Sequence, residues 1–311
     1  MLSVPNLLNT VDLTKGDIEQ ILDTARTFEQ VNERTIKKLP TLRGRTVVNL
    51  FLEPSTRTKS SFELACKRLG ADTLAVAGSS SSVVKGESLV DTIHTLDAMG
   101  VDMFICRAKY AGSPEIITRT TQARVINAGD GKHAHPTQGL LDLYTIRKRL
   151  GHLDGLHVGI VGDCLHSRVV GSLVPALRTM GAHVTLVGPQ TFLPARPDVL
   201  GAEATSDFDA ILPQLDVVYM LRVQNERMEG AAIPSTREYA RLFGLDARRA
   251  RLMRPEAVVM HPGPVNRGVE LTSAVADAPC SLITNQVNAG VSVRMAAIYL
   301  LLGGESDGIA H

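Results

Sequence analysis

Short runs of β-branched and aliphatic residues recur along this chain, at 46–52, 73–77, 101–106, 124–127, 158–161, 184–187, 217–221 and 257–260. Stretches with apolar residues at helical spacing separate most of them. After the first run these are Phe62, Leu64, Ala65 and Leu69, with Gly70 placed to end the turn. A strand joined to the next through a helix re-enters its sheet as a parallel neighbour, and near-continuous apolar strands mark sheets covered on both faces. The alternation therefore dictates an α/β fold, and it restarts after a Gly-rich break at 151–155. With 311 residues there is enough chain for two cores. The expectation is two doubly wound parallel-sheet domains, 1–150 and 151–285, with a C-terminal helix at 286–311 packing back on the first. Ligands are expected at the carboxyl ends of the strands, in a cleft between the domains.

Such a fold invites a dinucleotide, but residues 159–163, Gly-Ile-Val-Gly-Asp, lack the G-x-G-x-x-G spacing, and G-x-x-x-x-G-K-[ST] is absent. A net charge of +1 gives no reason to expect nucleic acid or an anionic membrane as partner. The basic run 246–254 reads as a solvated helix face. Cys66, Cys106, Cys164 and Cys280 are far apart and read as small buried hydrophobes in a reducing compartment. His133 and His135 have no third ligand at metal spacing, so neither metal nor cofactor is expected. The N-terminal residues lack a basic stretch followed by a long apolar run, and no segment has eighteen apolar residues in succession. A cytoplasmic protein is expected.

The polar motifs gather where strands end. Phe51-Leu-Glu-Pro-Ser-Thr-Arg-Thr58 passes from a strand into a helix. A helix start offers unpaired N–H groups and positive potential, which Ser55, Thr56, Arg57 and Thr58 complete as a phosphate-shaped cradle. Taken alone, the motif is an ordinary hydroxyl cap followed by a surface arginine. Other strand ends deliver Arg107, His135 and Gln138, Arg168, then Arg222 and Gln224, and last His261-Pro-Gly-Pro264. Pro136 suits a first helical position, which puts His135 at the cap. Residues 78–86, a Gly- and Ser-rich stretch holding Ser81 and Lys85, read from composition as a surface linker. Paired acids, a Ser-His-Asp order and a metal cluster are all missing. Many cations with few carboxylates suit anionic substrates and electrostatic, non-covalent catalysis.

Together S-T-R-T, V-K-G-E, N-A-G-D-G with H-P-T-Q, V-G-D with S-R, R-V-Q and H-P-G-P resemble the aspartate/ornithine carbamoyltransferase family, over roughly residues 7–303. R-V-Q-x-E-R with H-P-G-P resembles the aspartate branch; the ornithine branch carries a Cys-containing H-C-L-P loop. The resemblance implies transfer of a carbamoyl group from carbamoyl phosphate to L-aspartate, the committed step of pyrimidine biosynthesis. It implies that Ser55, Thr56, Arg57, Thr58 and Arg107 hold the phosphate, and that Thr58, Arg107 and His135 surround the carbonyl oxygen. Gln138 and main-chain carbonyls at Gly263 and Pro264 would hold the carbamoyl NH2, and Arg168, Arg222 and Gln224 the aspartate carboxylates. Ser81 and Lys85 would come from a neighbouring subunit of a homotrimer with shared sites, which overrides the linker reading. Assembly with dihydroorotase or a regulatory chain is compatible with the same resemblance.

The chain departs from the family pattern at Lys59, Val84 and Gly263 without losing a matched functional residue. From the family's turn at this loop, a cis peptide is expected at Gly263–Pro264. Two competing readings remain: the same chemistry on ornithine or another amine, and a non-catalytic scaffold for dihydroorotase. The full set of clustered cations argues against the scaffold.

Overall fold

The structure is a computed structural model, and it describes residues 2–78, 87–223 and 235–303. The chain forms two compact units, Met1–Tyr144 with Asn288–His311, and Thr145–Val287.

The first unit opens with α1 (Lys15–Glu33), started by a reciprocal capping box between Thr14 and Asp17. Burial pushes the Asp17 carboxyl upward, but hydrogen bonds from Ser3 and Thr14 outweigh it and hold the group down at about 2. The helix buries Ile18, Ile21, Leu22, Ala25 and Phe28, the stripe that its spacing predicts. The strands β1 (Thr46–Phe51), β2 (Asp72–Ala77), β3 (Met103–Ala108) and β4 (Arg124–Asp130) form one parallel sheet in the order β2-β1-β3-β4. α2 (Thr56–Leu69), α3 (Leu89–Asp97) and α4 (Ser113–Thr120) connect them. Val48, Leu50, Phe104, Cys106 and Val125 pack with Ile93, Leu96 and Ile117 of the helices. The edge strand β2 is largely solvent-facing, whereas β4 at the other edge is buried.

The chain leaves this unit within α5 (Pro136–Leu150) and returns within α11 (Ile283–Leu301). The second unit holds β5 (His157–Val161), β6 (His183–Val187), β7 (Glu203–Thr205), β8 (Val217–Met220) and β9 (Val258–Met260), parallel in the order β7-β6-β5-β8-β9. Its helices are α6 (Val170–Thr179), α7 (Phe208–Ile211), α8 (Thr236–Phe243), α9 (Ala247–Ala250) and α10 (Ser273–Ala276). In each sheet the strand order reverses once, between β1 and β3 and between β5 and β8. Connections on either side of such a reversal leave toward opposite faces and open a crevice at the carboxyl ends.

Three expectations need correction. The last helix begins at Ile283, three residues before the expected 286, because burial of its apolar face overrides β-branched residues and Gly290. α7 is followed by a 3-10 turn, Leu212–Gln214, where Pro213 removes a backbone donor. The other two concern the basic run and one cysteine. The basic run 246–254 is not simply a solvated face. Arg249 is buried, donates to the carbonyls of Arg241, Leu242 and Gly244 at the end of α8, and lies 5.3 Å from the Phe208 ring centroid. Arg248 and Arg254 pair with Asp209 and Asp216. Cys66, Cys106 and Cys164 are buried as expected, and burial pushes the first two thiols up to about 12, whereas Cys280 is half-buried. Among the described residues no helix is long and apolar enough to cross a membrane.

Candidate active site

The cradle loop leaves β1 beside the end of β3: Phe51 is in register with Arg107, and the Leu52 N–H donates to the Arg107 carbonyl at 2.8 Å. Residues 52–58 and Arg107 thus share the crevice of the first sheet. Ser55 is the N-cap residue of α2, yet its side chain makes no cap hydrogen bond, and no acidic residue occupies the first turn. α1, α3 and α8, by contrast, are closed by Thr14, Ser88 and Ser235 with an acidic residue in the first turn. An ordinary hydroxyl cap is therefore not what the S-T-R-T motif forms. Its N–H groups and dipole remain available to an anion. Thr58 is buried and Arg57 exposed on the first turn, while Lys59 lies 3.9 Å from Glu63 along the helix.

Arg107 donates to the Ala128 carbonyl at 3.2 Å and to Glu53 at 3.4 Å, which help to orient it. Glu53 escaped the sequence reading: a lone glutamate beside proline carries no signal, and its partner lies 54 residues away. The loop from Ala128 to Ala134 is set by the buried Asp130 carboxylate. It accepts from the backbone N–H groups of Gly112 and Ala134 and from the Asn127 amide, and it pairs with the His133 ring at 3.0 Å. His133 is thereby a partner of Asp130, and the loop delivers His135, buried, immediately ahead of α5. The His135 carbonyl accepts from the N–H groups of Gln138 and Gly139. The Gln138 amide nitrogen donates to Asp142 at 3.0 Å, which leaves its oxygen end to accept an N–H from a ligand.

In the second unit, Arg168 is buried in the connection from β5 to α6. The Leu221 N–H donates to the Val161 carbonyl at 2.7 Å, so Arg222 leaves β8 at the same crevice. β9 delivers His261, whose environment is fully buried. Its Nδ1 accepts from the Gly263 N–H at 2.7 Å, so the ring proton is on Nε2 and is donated to Glu270 at 3.1 Å. The same Glu270 oxygen accepts from the Asn266 N–H, and the Asn266 amide reaches the Val223 carbonyl at 3.3 Å. This network fixes the 261–266 loop against the exit of β8. Gly263–Pro264 is cis, as expected, and Gly263 has φ +60°, a conformation that disfavours a side chain. Ser81, Lys85 and Gln224 lie outside the described residues.

Two strand-order reversals, with guanidinium groups carried by the connections that leave the strand ends beside them, define the class: a doubly wound α/β protein. Family comparison narrows this. The model for the carbamoyl-P binding domain of aspartate/ornithine carbamoyltransferase matches residues 5–148, and that for the Asp/Orn binding domain matches residues 154–301. The chain belongs to the aspartate/ornithine carbamoyltransferase family. It is 56% identical over 299 residues to the aspartate carbamoyltransferase catalytic subunit of Parafrankia sp. (strain EAN1pec), covering 96% of this chain and 97% of that one. Against the corresponding subunit of Heliobacterium modesticaldum it is 52% identical, with 98% of both chains covered. Among solved structures, aspartate transcarbamoylase of Trypanosoma cruzi bound to N-(phosphonacetyl)-L-aspartic acid is 32% identical, with a TM-score of 0.86 and 94% of both chains covered. The catalytic subunit from M. jannaschii is 34% identical, with a TM-score of 0.83, covering 95% of this chain and 97% of that one.

Proposed function

We propose that this chain is an aspartate carbamoyltransferase, which makes N-carbamoyl-L-aspartate and inorganic phosphate from carbamoyl phosphate and L-aspartate and thereby serves pyrimidine synthesis. The single observation that carries the reading is full-length identity of 50–56% to catalytic subunits bearing that activity in their names. The T. cruzi relatives bind carbamoyl phosphate, and aspartate with phosphate.

The reaction needs no enzyme nucleophile, because phosphate is already a good leaving group. The aspartate amine attacks the carbamoyl carbon, negative charge grows on the carbonyl oxygen, and the C–O bond to phosphate then breaks. The amine proton departs with the phosphate. In this scheme Ser55, Thr56, Arg57, Thr58 and Arg107 hold the phosphate, and Thr58, Arg107 and His135 stabilise the oxyanion. Gln138 with the carbonyls of Gly263 and Pro264 orients the NH2 group. Arg168, Arg222 and Gln224 receive the two carboxylates of aspartate. Orientation of two bound substrates supplies roughly 7–11 kcal/mol, and each oxyanion donor a factor on the order of 10²–10³. Ser81 and Lys85 act from a neighbouring subunit of a cytoplasmic homotrimer, a reading supported by the family's shared-site arrangement.

Amine choice tests the assignment. Planar guanidinium groups match carboxylates through paired hydrogen bonds, whereas ornithine would leave an ammonium facing one of them. Arg222→Ala should raise the KM for aspartate by about tenfold or more, the loss of one charge-assisted contact, with the KM for carbamoyl phosphate nearly unchanged. Steady-state kinetics with each substrate varied in turn checks this. Unaltered aspartate kinetics in the variant would remove Arg222 from the site.

A further inference from the structure

α11 is apolar along most of its length, yet it carries one arginine in its interior, Arg294, only 4% exposed. Its guanidinium lies 5.0 Å from the ring centroid of Phe62, itself fully buried on α2, the helix whose first turn forms the cradle. One hydrogen bond is made, from Nη1 to the Gly290 carbonyl at 3.2 Å. Nε–H has no hydrogen-bond partner, and no carboxylate among the described residues forms an ion pair with the group. A Cβ at position 290 would come within 2.6 Å of Nη1, so Gly290 leaves the space that the guanidinium fills. Burial disfavours its charge most, the Asp142 carboxylate favours it, and the cradle cations Arg107 and Arg57 add to the opposition.

Burying an arginine without an ion pair, in the field of two more, opposes folding, and a neutral residue of similar size would be better tolerated. The arrangement becomes favourable when a dianion enters the cradle, because charges in a low-dielectric interior interact strongly and salt screens them little. We infer that Arg294 is a buried cation that sets the affinity of the cradle for phosphate without touching it, with Asp142 as its moderating counter-charge. The inference rests on the reading that residues 55–58 bind the phosphate of carbamoyl phosphate. Burial is the main influence lowering the proton affinity of Arg294, to about 9, so the group is still charged at neutral pH. Fold stability and anion affinity are then in opposition at this position.

Calorimetric titration of the full chain with inorganic phosphate, beside thermal melts without phosphate, tests this. Arg294→Gln should weaken phosphate binding by about tenfold or more, leave the KM for aspartate unchanged, and show a phosphate-free Tm equal to or above that of the parent. A purely structural arginine would do the reverse, lowering Tm and sparing phosphate. Asp142→Asn, which keeps the acceptor for Gln138, should tighten phosphate binding severalfold and reports on the same field if the first variant does not fold. Parental phosphate affinity in Arg294→Gln, or unchanged or weaker binding in Asp142→Asn, overturns the inference. Arg57→Ala is the control: if it binds phosphate as the parent does, the cradle reading fails and takes this inference with it. Loss in Arg57→Ala beside parental affinity in Arg294→Gln removes this inference alone.

Discussion

Arg57→Ala should turn over about 10³-fold more slowly than the parent chain while folding equally well. Arg57 is exposed on the first turn of α2, directly after a cap residue whose hydroxyl leaves the helix start open. Its guanidinium offers a forked, charge-assisted contact to a phosphoryl group, which neither neighbouring hydroxyl can replace. Removing it takes away both ground-state binding and stabilisation of the leaving phosphate, so kcat falls together with kcat/KM. Alanine favours helix, and a surface position of this kind changes stability by no more than about 0.5 kcal/mol. Initial rates and a urea melt on the same preparation check both halves. A loss below tenfold would mean that the cradle is not where the phosphate binds.

Mixing two inactive variants should restore activity. Lys85→Ala and Arg57→Ala are each expected to be nearly inert as homotrimers, since every site then lacks one cation. In a hybrid with two subunits of one kind and one of the other, a single interface joins an intact Arg57 to an intact Lys85. Such a hybrid should recover about one third of parental activity, the share set by cyclic three-fold symmetry. Dissociating and reassociating the two variants together, separating hybrids by an attached charge tag, and assaying each species makes the measurement. Inert hybrids of verified composition would place Lys85 and Arg57 outside a shared site.

The layout of this fold was legible where physics leaves little choice. Strands covered on both faces are largely apolar, so β1, β3, β5 and β8 stand out as runs of aliphatic, aromatic and sulfur-bearing residues. β7 does not, because it is a short, mostly exposed edge strand reading Glu-Ala-Thr. α8 was readable and overlooked: Ser235 and Glu238 form a cap signature ahead of Tyr239 and Phe243, which are buried. The candidate site was legible as a set of strand-end motifs, and family resemblance supplied their roles. Long-range partners stayed hidden. Nothing near Glu53 points to Arg107, and nothing near His261 points to the carboxylate of Glu270 that fixes the 261–266 loop. Arg294 did carry a signal, being a lone charge in an apolar helix, but the cations it influences stand nearly two hundred residues or more earlier in the chain. Only folding brings a charge in α11 against Phe62 of α2, the helix whose first turn carries the S-T-R-T motif.

The most direct test of the account is to supply the purified chain with carbamoyl phosphate and either L-aspartate or L-ornithine, and to quantify the carbamoylated amino acid and the phosphate released. The account predicts N-carbamoyl-L-aspartate and phosphate in equal amounts with aspartate, and no product above background with ornithine. Comparable rates with both amines would contradict the aspartate assignment, and no product with either would contradict the enzyme.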